Sequence, residues 1–276
     1  MPILVTGTSG FIGRALSGVL DERGLKWRGV TRRDIGSIDS QTDWSRALSG
    51  CDRVVHLANM AHVGGAAESE VRVVNIEGTR RLAEQAVVAG ARRFIYVSSA
   101  KTEEADDPYG RAKLAAEQAL AQVSGLEVVV LRPPLVYGPG VKANFLALMR
   151  AIARGWPLPF ASIENRRSLV YVGNLCDAIV GCLEAPQAGG RTYFVSDGVP
   201  VSTPQLCRAL GDAMGRPARL FPFPVSCLEL HPGLRRLTRS LEVDDGAIRR
   251  ELGWQPPYTF EEGLRLTAEW YRARGG

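Results

Sequence analysis

The sequence Tyr109-Gly110-Arg111-Ala112-Lys113 places a phenol and an ammonium four residues apart. On an α-helix that spacing brings both side chains to one face. A free phenol titrates at about 10 and is a poor base at neutral pH, but an ammonium close by favours the phenolate. A tyrosine held in this way can exchange a proton with a substrate oxygen. Pro108 directly before it, and the apolar pattern Leu114, Ala115, Ala119 and Leu120 after it, predict a helix that begins here. Ser98 and Ser99 end an apolar run upstream, where a hydroxyl could hold the same oxygen. The competing reading is a plain amphipathic helix with a solvated lysine.

A second chemical pattern lies near the start. Residues Leu4 to Gly13 read Leu-Val-Thr-Gly-Thr-Ser-Gly-Phe-Ile-Gly, so Gly7, Gly10 and Gly13 recur every third residue between an apolar run and a helical pattern. In such a turn the first glycine permits the reversal, the second lets the backbone approach a pyrophosphate, and the third lets helix and strand pack closely. The N–H groups at the helix start then face the phosphates. A dinucleotide is the expected ligand. A carboxylate usually ends the next strand and holds the adenosine ribose, but here the chain reads Val30-Thr31-Arg32-Arg33. Either these arginines pair with a 2′-phosphate through charge-assisted bonds, or they form a solvated basic turn. The first option favours NADP(H) as cofactor, with NAD(H) possible.

These groups need a scaffold. Short β-branched runs at 3–6, 27–31, 53–57, 93–98, 127–131 and 192–196 alternate with segments of helical periodicity, such as Leu82, Ala83, Ala86, Val87 and Ala89. Such alternation implies an α/β fold, a Rossmann-like doubly wound parallel sheet with crossover helices. Val54-Val55 and Val128-Val129-Val130 suit strands buried on both faces. After Gly138 the alternation fades and prolines cluster at 157, 159, 217, 222, 224, 232, 256 and 257, which reads as a small C-terminal substrate lobe. The expected division is a dinucleotide-binding Rossmann domain over 1–140, to which the segment 168–197 returns, and a smaller substrate-binding lobe over 141–167 and 198–276. A last amphipathic helix is expected at about 260–274, packed on the lobe.

The chain has 276 residues, 45% hydrophobic and 23% charged, so disorder is not the default. Its net charge of +5 comes from scattered basic residues, grouped at most in pairs such as Arg32-Arg33, Arg166-Arg167 and Arg235-Arg236. A small polyanionic ligand accounts for that excess, and no nucleic-acid partner is expected. Five cysteines form no CxxC pair, which fits reduced, mostly buried thiols in a cytoplasmic protein. His56, His62 and His231 lack metal-ligand spacing, so no metal is expected. The sequence runs straight into a strand, so no secretory leader is expected, and no apolar run of about 18 residues calls for a membrane span.

Further motifs extend the pattern: Thr6-Gly7-x-x-Gly10-Phe11-Ile12-Gly13, His56-Leu57-Ala58, Asn75-Ile76-Glu77-Gly78-Thr79, Val97-Ser98-Ser99, Tyr109 to Lys113, Leu131-Arg132-Pro133 with Val136-Tyr137-Gly138, and Leu252-Gly253-Trp254. Together they resemble an extended short-chain dehydrogenase/reductase of the NAD-dependent epimerase/dehydratase group, over nearly the whole chain. The resemblance implies a catalytic trio of Ser99, Tyr109 and Lys113, with Lys113 also holding the nicotinamide ribose. Gly7, Gly10, Phe11, Ile12 and Gly13 would hold the cofactor, Leu57 and Ala58 would line it, and Pro133 would lie near the nicotinamide. Asn75 matches an asparagine beneath the active site. Asn144 and Arg167 match positions that bind the diphosphate of a nucleotide sugar. The run 132–174 is most similar to bacterial sugar 4-ketoreductases and 4-epimerases. Alanine-rich helices at about 68–89 and 109–123 imply, by the same resemblance, a homodimer.

The leading expectation is reduction of a 4-keto sugar, UDP- or dTDP-linked, by NADPH, with Tyr109 giving the proton. The runner-up is 4-epimerisation with tightly bound NAD. A non-catalytic dinucleotide sensor is the third reading, and the Tyr/Lys pair argues against it. One departure stands out: Ser99 and Tyr109 are ten residues apart, where the family usually carries a longer loop. The short form leaves the site more open and carries Glu103, Glu104, Asp106 and Asp107, expected to be solvated. His56 is expected to be a satisfied structural histidine. His62, Arg236 and Arg239 are weaker candidates for substrate contact.

Overall fold

The computed structural model describes residues 1–60 and 68–275. Its strands are β1 (Ile3–Thr6), β2 (Trp27–Val30), β3 (Arg53–His56), β4 (Arg93–Val97), β5 (Glu127–Arg132), β6 (Leu135–Tyr137), β7 (Leu169–Tyr171) and β8 (Thr192–Phe194). Its helices are α1 (Phe11–Glu22), α2 (Arg32–Ile35), α3 (Ser45–Leu48), α4 (Glu68–Arg72), α5 (Gly78–Val88), α6 (Pro108–Ala121), α7 (Ala143–Ala153), α8 (Val172–Glu184), α9 (Thr203–Met214), α10 (Val225–Glu229), α11 (Pro232–Thr238), α12 (Gly246–Leu252) and α13 (Phe260–Ala273).

Six strands form one sheet in the order β2-β1-β3-β4-β5-β8, every neighbouring pair parallel. Alternation along each strand sends side chains to both faces. Leu4, Val54, Phe94, Tyr96 and Val130 pack in one core with Leu82, Ala83 and Ala86 of α5, Ala116 and Leu120 of α6, and Trp44. Ile3, Val5, Val55, Ile95 and Val129 are equally buried on the other side, as are Leu16 and Leu20 of α1 and Ala178 and Ile179 of α8. Both faces are covered, so the sheet is Rossmann-like and doubly wound. The winding reverses at β1, which pairs with β2 on one side and β3 on the other. The carboxyl end of a strand at such a switch point is where open α/β sheets bind ligands.

The chain divides into two compact units. One comprises Met1–Pro133, Cys176–Val195 and Asp245–Gln255, and the other Pro134–Leu175, Ser196–Asp244 and the chain from Pro256 onward. The segment 168–197, expected to return to the main sheet, splits. Its end, β8, joins the main sheet beside β5, whereas β7 pairs with β6 in a separate two-stranded sheet. Pro133-Pro134 lies between β5 and β6, and proline cannot donate to a ladder, so the chain leaves the main sheet there. In the second unit the Asp197 carboxylate accepts from the Tyr137 hydroxyl at 2.9 Å, Tyr171 N–H at 2.9 Å and Asn174 Nδ2 at 2.7 Å. The stretch 245–255, expected with the lobe, packs in the first unit: the Tyr193 hydroxyl donates to Glu251 at 2.9 Å and Trp254 Nε1 to Asp177 at 2.8 Å. The helix expected over 68–89 is interrupted by a π-turn, Val73–Glu77.

Trp44 tests the core. Its side chain is fully buried and its indole N–H has no partner among the described residues. Trp44→Ala is expected to cost about 3–5 kcal/mol, as large core truncations do. Trp44→Phe keeps most of the ring and removes the unsatisfied donor, and should cost less than about 2 kcal/mol. Denaturant unfolding of the two variants checks the ranking; equal costs would show that the ring's volume is not what the site needs.

Candidate active site

The glycine turn leaves β1 at the switch point. Gly7 has a φ of +72°, and a Cβ there would lie 2.7 Å from Ala58 N and 2.9 Å from Leu57 C. Only glycine allows the end of β1 to pass this close to the end of β3. A Cβ on Gly13 would lie 2.2 Å from Gly7 O, so helix and turn also touch through backbone. Gly10 N–H closes the turn on Gly7 O at 2.9 Å. The Thr6 hydroxyl accepts from Leu57 N–H at 3.2 Å and Ala58 N–H at 3.1 Å, tying the loop after β3 to β1. α1 opens on Gly10 with no side-chain cap and no acidic residue in its first turn, which Phe11 and Ile12 begin. Its first N–H groups are left without a side-chain partner, at the positive end of the helix dipole. Backbone donors without a Cβ in front of them fit a pyrophosphate.

At the end of β2, Thr31 caps α2. Its hydroxyl accepts from Arg33 N–H at 3.3 Å, and the Asp34 carboxylate accepts from Thr31 N–H at 2.7 Å and the Thr31 hydroxyl at 2.8 Å. These bonds hold Asp34 below the usual carboxylate range. A carboxylate therefore does stand at this strand end, folded back from three residues downstream. The signal was the capping-box pattern Thr31-x-x-Asp34. Arg32 lines a cavity of about 660 Å³ whose walls include Ile38, Met60 and Val74 and the acidic residues Asp39 and Glu70. The guanidinium does not have that cavity to itself.

The Tyr/Lys helix starts as its sequence demands. Asp107 accepts from Gly110 N–H at 2.7 Å as the N-cap of α6, and Pro108 occupies the first turn. Tyr109 is half-buried, and Lys113 follows one turn later at 3% exposure. The Lys113 ammonium donates to Val97 O at 2.7 Å and stands 4.5 Å from the centre of the Tyr96 ring. Burial lowers Lys113 to about 7, against a partial counter-effect of Glu117 one turn on. Glu117 is itself paired in a two-pronged ion pair with Arg132, at 2.6 and 3.1 Å. Tyr109 is pushed up to about 12, by burial first and the Asp107 carboxylate second. The phenolate-favouring effect expected of Lys113 does not govern here, because burial disfavours charge on both groups and the ammonium is engaged by Val97 O.

Ser99 is half-buried and extended, and its hydroxyl accepts from Lys101 N–H at 3.3 Å. Ser98 is buried, with a hydroxyl that has no partner among the described residues. Pro133 O accepts from Ala100 N–H at 2.9 Å. The first unit thus brings Ser99, Tyr109, Lys113 and Pro133 around the end of β4. Asn75, turned inward by the π-turn, accepts from Met60 N–H at 2.9 Å and fixes the start of the loop after β3. His56 lies with Nδ1 2.8 Å from the Thr6 hydroxyl and Nε2 3.0 Å from the Thr79 hydroxyl, and burial lowers it to about 3, a satisfied structural histidine. His62 lies outside the described residues. Glu103, Glu104 and Asp106 are exposed, but Asp107, expected to be solvated, is held as a cap and pairs with Lys101.

Asn144 and Arg167 belong to the second unit. Asn144 is exposed in the first turn of α7, next to Ala143, whose φ of +51° is left-handed for a residue with a Cβ. Arg167 is half-buried and donates through Nη1 to Arg236 O and, at 2.9 Å, to Arg239 O, capping the end of α11.

The family model described as "NAD dependent epimerase/dehydratase family" matches residues 3–196. A UDP-glucose 4-epimerase of Vibrio cholerae is 40% identical over 97% of this chain and 94% of its own length. The solved UDP-glucose 4-epimerase of Thermotoga maritima with UDP-glucose superposes with a TM-score of 0.79, at 26% identity over 100% of both chains. A short-chain dehydrogenase/reductase superfamily protein of Agrobacterium tumefaciens with bound NAD gives 0.80 at 24% identity, over 99% of this chain and 98% of that one, which bears on the fold.

The buried lysine has a measurable consequence. Its folded value of about 7 lies below the ordinary 10.5, so the buried ammonium costs stability most fully below pH 7, and the cost fades as pH rises from 7 to 10.5. Lys113→Met keeps the length of the side chain and removes the charge. It is expected to unfold several degrees higher than the parent at pH 7, with the gain shrinking toward pH 10. Thermal unfolding of both proteins across this range checks it, and a gain independent of pH would contradict the burial cost.

Proposed function

This chain belongs to the NAD dependent epimerase/dehydratase family and is an enzyme of the extended short-chain dehydrogenase/reductase type, and we propose that it interconverts the C4 epimers of a UDP-linked sugar. The observation that carries the proposal is the full-length similarity to the Vibrio cholerae UDP-glucose 4-epimerase, in a chain that keeps the phenol, the ammonium and the serine at the end of β4.

In this reading Gly7, Gly10, Phe11, Ile12 and Gly13 hold the cofactor pyrophosphate at the start of α1, and Leu57, Ala58 and Pro133 line its path. When bound, the nicotinamide supplies the hydride chemistry at C4. Tyr109 takes the proton of the C4 hydroxyl and returns it after the sugar has turned over. Ser99 holds that oxygen. Tyr109 stands at about 12, so it is ready as a proton donor, and as a base it needs added positive charge. Lys113, poised at about 7, lies one helical turn away. Asn144 and Arg167 take the diphosphate of the sugar nucleotide. A homodimer and a cytoplasmic location complete the proposal. Among the described residues no helix is long and apolar enough to cross a membrane.

Arg32 and Arg33 favour a second reading, reduction of a 4-keto sugar, UDP- or dTDP-linked, with NADP(H). Against it stand Asp34 at the end of β2 and the acidic residues Asp39 and Glu70, which line the same cavity as Arg32.

Two experiments separate these readings. Purified protein given UDP-glucose without added reductant is expected to form UDP-galactose and to carry retained NAD. Tyr109→Phe should lower that turnover by roughly 10²–10⁴-fold while keeping fold and cofactor binding. NADPH-dependent reduction of a 4-keto sugar nucleotide with no interconversion would put the second reading in its place. Binding of NADH and NADPH to the parent and to the Arg32→Ala, Arg33→Ala double variant is the second experiment. If the arginines bind a 2′-phosphate, the double variant loses about 1–3 kcal/mol of NADPH affinity and keeps its NADH affinity. Epimerisation with NAD predicts no such loss.

A further inference from the structure

We infer that Lys101 is a positioning residue: it clips the short connection between Ser99 and Tyr109, so that the serine hydroxyl and the tyrosine phenol address one substrate oxygen, and its ammonium counterbalances the carboxylate next to that phenol. The inference rests on the roles proposed above for Ser99 and Tyr109.

Only nine residues separate these two side chains, and Lys101 contacts both ends and the middle of the connection. Its N–H donates to the Ser99 hydroxyl at 3.3 Å. Its carbonyl accepts from Ala105 N–H at 3.0 Å, in a turn tight enough to put Ala105 at a φ of +46°, left-handed for a residue with a Cβ. The same carbonyl lies against α6: a Cβ on Gly110 would come within 2.6 Å of it, so the residue after Tyr109 is glycine where helix and turn meet. The Lys101 ammonium pairs with one oxygen of Asp107, whose other oxygen caps α6 at Gly110 N–H. It also stands 6.0 Å from the centre of the Tyr109 ring. The side chains of Lys101 and Asp107 are 35% and 25% exposed, so water does not fully screen the pair.

The electrostatic consequence has a sign. Asp107 is the carboxylate that raises Tyr109, and Lys101 is the cation paired with it. Tyr96 is the second phenol coupled to Tyr109. Lys113 turns its ammonium to Val97 O, and Glu117 is paired with Arg132. The neighbouring turns at 68–77 bring Glu70, Arg72 and Glu77, the last two paired with each other. Removing the Lys101 charge takes that cation away from the Asp107 carboxylate and should make Tyr109 harder to ionise. Removing the Asp107 charge leaves the Lys101 ammonium near the ring and should make it easier.

The test compares Lys101→Met, Lys101→Gln, Lys101→Arg and Asp107→Asn in the full-length protein, with Tyr109→Phe as reference. For the epimerisation of UDP-glucose, both neutral Lys101 variants are expected to lose about tenfold in kcat with KM nearly unchanged, and Lys101→Arg to recover most of it. The rising limb of the pH profile should move up by about half a unit or more in the neutral Lys101 variants and down in Asp107→Asn. The phenolate absorbance of Tyr109, read after a rapid pH jump as the difference from Tyr109→Phe, should move in the same two directions whether or not UDP-glucose is turned over. Parent-like kcat in both neutral variants, or shifts of one sign in Lys101→Met and Asp107→Asn, would overturn the inference. Full activity of Tyr109→Phe would instead sink the acid–base reading, and the absorbance titration would still decide whether Lys101 sets the tyrosine's ionisation.

Discussion

Lys113 is an ammonium at 3% exposure, with one carbonyl at 2.7 Å and one aromatic face to offset its lost hydration. A cation in that position is costly unless its partners are held rigidly. Much of the first unit serves to hold them. α6 must lie directly across the end of β4, and small residues on its inner face, Ala112 and Ala116, allow that approach. Val97 offers its carbonyl because β4 ends there, beside Leu131 of β5. The next turn of the helix brings Glu117, which is neutralised by Arg132 rather than by Lys113. The lysine is left with a charge that is easily lost near neutral pH, and the phenol one turn before it is left protonated. Both groups are thereby tuned by whatever charge comes to rest beside them.

The connection in front of α6 shows how few residues are needed to set that phenol. One carboxylate, Asp107, is shared between a helix cap and an ion pair, and one lysine reaches the serine, the cap and the ring. A longer loop could distribute those contacts over many side chains. Here they converge on Lys101 and Asp107, and Gly110 leaves the space that the convergence requires. The connection is short and its contacts are concentrated, and Asp107, the carboxylate that raises Tyr109, is paired with Lys101.

At the other end of the site the constraint is steric. The turn after β1 passes within contact distance of the loop after β3, and Gly7 and Gly13 leave no room for side chains. Helix α1 therefore begins with donors that no side chain of its first turn satisfies, which is the condition for taking up an anion. The neighbouring cavity is of mixed sign: Arg32, Asp39 and Glu70 all line it, while Asp34 folds back on Thr31. A count of arginines at the strand end therefore leaves out the acidic residues beside them.

The sequence by itself determined the parallel doubly wound sheet, because short apolar, β-branched runs alternate with segments of helical period, and strands apolar on both faces must be covered by helices on both. It determined the glycine turn, since only glycine tolerates a backbone in contact with backbone, and the start of α6, since Pro108 acts within its first turn. His56 was legible as structural because Val54 and Val55 placed it in a buried strand. What the tertiary structure alone decided involves groups distant in sequence. The direction of the Lys113 ammonium depends on Val97 and Tyr96, sixteen and seventeen residues away. The inward turn of Asn75 depends on a π-turn whose pattern reads as ordinary helix. The pairing of β7 with β6 was decided by Pro133 and Pro134, which end the main ladder before β6 begins. The ionisation of Tyr109 and Lys113 was decided by burial, a property of the packed chain that spacing along a helix does not contain.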